Sequence, residues 1–133
     1  MNKNFIICGL TGWCFECFFT GCHGLLKKDK TLPCHTSLWM FCIYGMGALI
    51  KPLYSLIQNV PKYIRGVIYT ILIFITEYST GTFLKKHSAC PWDYSKNKYN
   101  INGVIRLDYA PLWFIVGLIY ENILTSNYKK EKL

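Results

Sequence analysis

Three carboxylates stand alone in long apolar stretches of this sequence. Glu16 is the sole charge between Asn4 and Leu26, Glu77 between Gly66 and Leu84, and Glu121 between Tyr109 and Asn127. An ionised acid in such surroundings is costly unless it is paired, hydrated, protonated or bound to a cation. The chemistry open to these acids is therefore binding of a proton or a cation along a pathway. The plainer alternative is a protonated acid that bridges helices by hydrogen bonds. Lys51 is the one lysine inside a comparable run, so it can neutralise at most one acid from within. Tyr44 shares its helical face, and Glu16, Glu77, Lys51 and Tyr44 form the candidate ligand or ion site. A second candidate is the loop motif Trp92, Asp93 and Tyr94, in which two amphipathic rings flank an acid. It suits docking at headgroup level or folding back over the helices.

Other reactive residues carry less. Cys14 and Cys17 have C-x-x-C spacing, but they lie inside an apolar run with no histidine nearby in a ligand pattern, where thiols pack as small apolar groups. His23, His35 and His87 have no metal-ligand spacing, so neither a metal nor a cofactor is expected, and no catalytic constellation is found. The absence of G-x-x-x-x-G-K-[ST] excludes P-loop nucleotide binding.

The elements that must position these residues follow from composition. The 133 residues are 52% hydrophobic and only 17% charged, which is low for a soluble protein, and the net charge of +8 is interrupted by apolar runs rather than gathered as a nucleic-acid-binding face would be. The sequence reads as all-α: one polytopic integral membrane domain, four transmembrane helices packed as a bundle, with a long aromatic loop between the third and fourth. The spans are about 4–26, 38–57, 66–84 and 109–127. Lys27-Lys28-Asp29-Lys30, Lys85-Lys86 and the tail Lys129-Lys130-Glu131-Lys132 mark their ends. Pro52 predicts a kink in the second span just before it.

At 100° per residue, Gly9, Gly12, Glu16, Thr20 and His23 share one arc, and so do Gly66, Thr70, Glu77 and Gly81. Trp113, Gly117, Tyr120 and Glu121 align likewise. Small residues allow close helix approach and polar ones avoid lipid, so these faces should point inward. Glu16 and Glu77 fall at like depth, which predicts that the two lie close together. The order Glu, Thr-Gly, apolar, Lys-Lys, loop, Leu-Trp occurs twice, from Glu16 to Trp39 and from Glu77 to Trp113, and suggests a repeated hairpin.

Gly12 with Glu16, Ser37-Leu38-Trp39, Ile43-Tyr44-Gly45, Arg65-Gly66, Glu77-Tyr78-Ser79-Thr80-Gly81, Cys90-Pro91-Trp92-Asp93-Tyr94-Ser95 and Leu107-Asp108-Tyr109-Ala110 together resemble the animal transmembrane protein 229 family and its bacterial relatives, which carry an ABC-transporter type IV label. The likeness runs from about Cys8 to Tyr120. Bacterial members usually have a second Trp where Pro91 stands, so the chain is more similar to the animal form. The resemblance implies a polytopic membrane protein with Glu16, Tyr44, Gly45, Glu77, Tyr78, Gly81, Trp92, Asp93 and Tyr94 as characteristic positions.

The expected function is a small transporter, channel or permease-like subunit with a buried carboxylate site in the cell membrane. Its partners would be the lipid bilayer and, given its size, a second copy or another membrane subunit, with no nucleic acid and no nucleotide. A structural or regulatory membrane subunit is the first alternative. The other is a membrane enzyme on lipid head groups using His87, Asp93 and Tyr94; an enzyme is the less expected outcome.

Overall fold

The computed structural model describes residues 2–131, with side chains described up to Ser126, so the basic tail beginning at Lys129 lies outside the described side chains. The chain forms two compact units, Met1–Ala48 and Leu49–Leu133.

In the first unit, α1 (Lys3–Leu26) begins at Asn2, whose side chain accepts the Asn4 N–H at 3.2 Å. It ends where Lys28 turns left-handed at φ 60. The Lys28 N–H then reaches the Leu25 carbonyl at 2.9 Å and the Asp29 N–H reaches that of Gly24 at 3.0 Å, closing the open carbonyls of the last turn. After a return segment, Ser37 caps α2 (Leu38–Gly45) by accepting the Met40 N–H. The two helices meet through glycines: a methyl on Gly9 would strike the Phe41 ring, one on Gly12 the Tyr44 ring, and one on Gly45 the Phe5 ring. Trp13 packs on Phe41 with ring centroids 4.9 Å apart.

A 3₁₀ turn, Met46–Leu49, leads from α2 into α3 (Ile50–Ile57) of the second unit. Its cause is Pro52, which has no N–H for the Ala48 carbonyl and crowds the preceding turn, so the backbone tightens there. Next comes α4 (Lys62–Lys86), which ends as α1 does: Ser88 is left-handed at φ 53, and the Ala89 N–H reaches the Leu84 carbonyl at 2.9 Å. Beyond it the chain is not purely helical. A short antiparallel hairpin pairs β1 (Asn100–Ile101) with β2 (Ile105–Arg106), Asn100 opposite Arg106. It turns on Asn102 and Gly103, both at positive φ, which glycine adopts without strain. A single 3₁₀ turn, Leu107–Tyr109, precedes α5 (Ala110–Glu131).

The helices are apolar outside and small or polar inside. On α4 the buried residues are Gly66, Tyr69, Thr70, Glu77, Gly81 and Leu84. Its exposed ones include Val67, Ile71, Ile75 and Phe83. Such exposed apolar faces are stable against lipid, not water. α4 and α5 interlock reciprocally, because a methyl on Gly66 would strike Phe114 and one on Gly117 would strike Tyr69. Three stretches are long and apolar enough to cross a membrane: Lys3–Leu26, Leu38–Ile57 and Lys62–Lys86. α5, read from sequence as a fourth span, falls short because it is less apolar than these three.

Candidate functional site

Glu77 sits at the centre of the second unit. Its side chain is 8% exposed, and Trp113 of α5 and Tyr94 of the loop direct polar groups toward its carboxyl. The approach stops short of full satisfaction: Glu77 Oε2 and Trp113 Nε1 are both buried and neither completes a hydrogen bond among the described residues. Tyr109 stands edge-on to Tyr94 at 5.8 Å and to Trp113 at 6.4 Å, so aromatic rings wall the carboxyl in. An acid so placed has neighbours that can donate hydrogen bonds, and one oxygen without a partner among the described residues.

The loop motif forms the cap of this site. Trp92 packs over Gly81 beside Val104, and its indole N–H donates to the Val104 carbonyl at 2.8 Å. The Tyr94 N–H donates to the Gly103 carbonyl at 2.9 Å, which ties the motif to the hairpin. Two bonds fasten the hairpin to α4: Lys85 Nζ donates to the Asn102 carbonyl at 3.0 Å, and the Asn102 amide to the Tyr78 hydroxyl at 2.9 Å. The Arg106 guanidinium lies 4.2 Å from the Tyr109 ring centre and pairs with Asp108. Asp93 faces outward. The Ser95 N–H and hydroxyl, with Lys85 and Lys96 nearby, hold its carboxyl below the usual aspartate range, as Arg106 does for Asp108. His87 is held at the end of α4, with Nδ1 2.9 Å from the Phe83 carbonyl and its ring on Phe83.

A second polar centre in this unit was not anticipated. Glu121, one of the three isolated acids of the sequence, is 3% exposed. Arg65 grips it with both arms, Nε to Oε2 at 2.8 Å and Nη2 to Oε1 at 2.7 Å, while the Tyr69 hydroxyl donates to Oε2 at 2.6 Å. Arg65 also donates to the Val60 carbonyl and stacks on Tyr54. The counter-charge is thus Arg65 rather than Lys51, because α4 starts at Lys62 and so takes Arg65 into the helix, on the face toward α5. Lys51 is exposed on α3.

In the first unit, Glu16 is half-buried and accepts the Thr36 hydroxyl at 3.1 Å. Tyr44 closes over Gly12 on the neighbouring turn. Glu16 and Tyr44 thus belong to the first unit, and Glu77, Lys51 and the loop motif to the second.

Over residues 3–132 the sequence matches the family described as "Putative ABC-transporter type IV", and the chain belongs to that family. That membership and the three long apolar helices mark a membrane protein. No solved structure matches it.

Proposed function

Because the chain belongs to this family, we propose that it is a multi-pass protein of the cell membrane acting as a small transporter, channel or permease-like subunit, with Glu77 as its ion-handling group. One observation carries this: a buried carboxyl whose Oε2 has no partner among the described residues, walled by Trp113 and Tyr94 and capped by a loop. Within a bilayer, an acid without a counter-charge is a natural site for a proton or small cation. The Arg65–Glu121 pair supports α5 as a fourth crossing, because it masks the one charge between Tyr109 and Asn127. Pro91 fits the animal transmembrane protein 229 form. The chain has no P-loop, and its small size fits a homodimer or hetero-assembly.

The test is flux in sealed vesicles containing the purified protein and an entrapped pH-sensitive dye, driven by an imposed cation gradient. Wild type should conduct. Glu77→Gln should abolish flux with thermal stability nearly unchanged, since the amide keeps the acid's shape. Unchanged flux in that variant removes Glu77 from the role, and no flux in wild type favours the structural or regulatory subunit.

A further inference from the structure

The return segment of the first unit lies along one strip of α1. Pro33 packs over Gly24, where an added methyl would come within 3.3 Å of its ring. The His35 N–H donates to the Thr20 hydroxyl at 3.1 Å, the Thr36 hydroxyl to Glu16 at 3.1 Å, and the Trp13 indole N–H to the Ser37 carbonyl at 3.0 Å. Trp13, Glu16, Thr20 and Gly24 are spaced by three or four residues and so form a single stripe. Cys17 belongs to that stripe, four residues after Trp13 and three before Thr20. Cys34 sits in the segment laid on it, between Pro33 and His35. The contacts on either side set Cys34 against Cys17 on this stripe, and both cysteines are free thiols.

We propose that Cys17 and Cys34 are a redox-responsive pair whose reversible disulfide staples the return segment to α1. The contacts on either side, His35 to Thr20 and Thr36 to Glu16, keep the segment that carries Cys34 against the stripe that carries Cys17. Cys34 is exposed, as are His35 and Thr36 beside it, so a small disulfide reagent can reach it. In the exchange, the Cys34 thiolate attacks one sulfur of the reagent and expels the other half as a thiolate. Cys17, deprotonated in turn, attacks the Cys34 sulfur of the mixed disulfide and expels the second half. The protein loses two electrons and two protons, and the reagent leaves as two thiols. The staple fixes Thr36 over Glu16, so oxidation would hold that acid covered and reduction would free the segment to lift.

The full chain, purified in detergent, is treated with oxidised glutathione; free thiols are then alkylated and the protein is cleaved without reductant for mass spectrometry. The expected product is a peptide pair joined through Cys17 and Cys34, with two fewer alkylated cysteines and full reversal by dithiothreitol. Cys22→Ser should leave the link intact, and Cys34→Ser should remove it while the melting temperature of the reduced protein stays the same. A persistent glutathione adduct on Cys34, or links from Cys34 to Cys14, Cys22 or Cys42 as abundant as that to Cys17, would overturn the proposal.

Discussion

Thr20-Gly21 in α1 and Thr80-Gly81 in α4 can be laid on one another, and the helix ends then fall in register. Each threonine hydroxyl bonds back to the carbonyls four and three residues earlier, those of Glu16 and Cys17 in one unit and of Thr76 and Glu77 in the other. Each helix closes on a left-handed residue, Lys28 or Ser88. In this register the two acids are one residue apart, which on a helix is about 100°. Glu16 therefore meets the polar chain returning beside it, whereas Glu77 turns under an aromatic cap. A shared run of residues can encode the same helix end while leaving the acid's surroundings to a single step of register and to the loop that follows.

The largest expected effect separates the units by charge. Arg65→Ala should cost about 3–5 kcal/mol in thermal or denaturant unfolding, because it leaves the Glu121 carboxylate buried without its counter-charge. Replacing both partners by methionine should cost much less. In the first unit Glu16→Gln should shift stability little, since the amide still accepts from Thr36. An Arg65→Ala protein as stable as wild type would break the contrast.

Next come the paired glycines. Gly81→Ala drives a methyl into Val104 and Trp92 and should cost about 1–3 kcal/mol. Gly21→Ala meets only the Leu32 carbonyl oxygen, at 3.8 Å, and should be neutral or gain up to about 1 kcal/mol from helix propensity. Melting of the two variants side by side reads the difference, and equal costs would mean that the cap does not bear on α4.

Lys28→Gly and Ser88→Gly test the likeness instead. Both residues hold a left-handed backbone without being glycine, so each change should add about 1 kcal/mol or less to stability. A gain in one unit only would show that the helix ends are not equivalent.

The smallest effect is that of acid. The carboxyls of Asp93 and Asp108 are held below the ordinary aspartate value of about 3.9. A depressed folded value means that their contribution is complete above the ordinary value and fades as pH falls through the depressed one. The indole N–H resonance of Trp92, which reports the cap, should therefore hold steady down to about pH 4 and shift below it. Asp29, held low by the Thr31 hydroxyl and N–H, should loosen the turn after α1 over a similar range. A Trp92 signal that shifts near pH 6 would point to a different group.

The helices were legible because all but the second apolar run end at lysines, and the glycine faces of α1 and α4 were legible because small residues recur on one arc. Pro52 announced the break between α2 and α3. The role of Arg65 was not legible, because a cation at a helix entrance normally turns to the interface and nothing local indicates a partner on α5. The hairpin at Asn100–Arg106 is too short for an alternating pattern, although Asn102-Gly103 is by residue type a turn pair. Lys51 lay in the right run but points outward, a matter of helix rotation that one lysine cannot encode. Cys17 carried no visible partner because Cys34 reaches it only when the return segment lies along the stripe.

The Arg65–Glu121 pair also bears on how the chain is made. On the four-crossing proposal, a lone arginine at the end of a span costs some part of the about 2.5–3.5 kcal/mol that the insertion scale gives at a helix centre. α4 is synthesised first and would face that cost until α5 arrives with its acid. The two helices should then leave the translocation machinery as one hairpin, with the intervening loop already on its final side, so that order of insertion is written into a salt bridge.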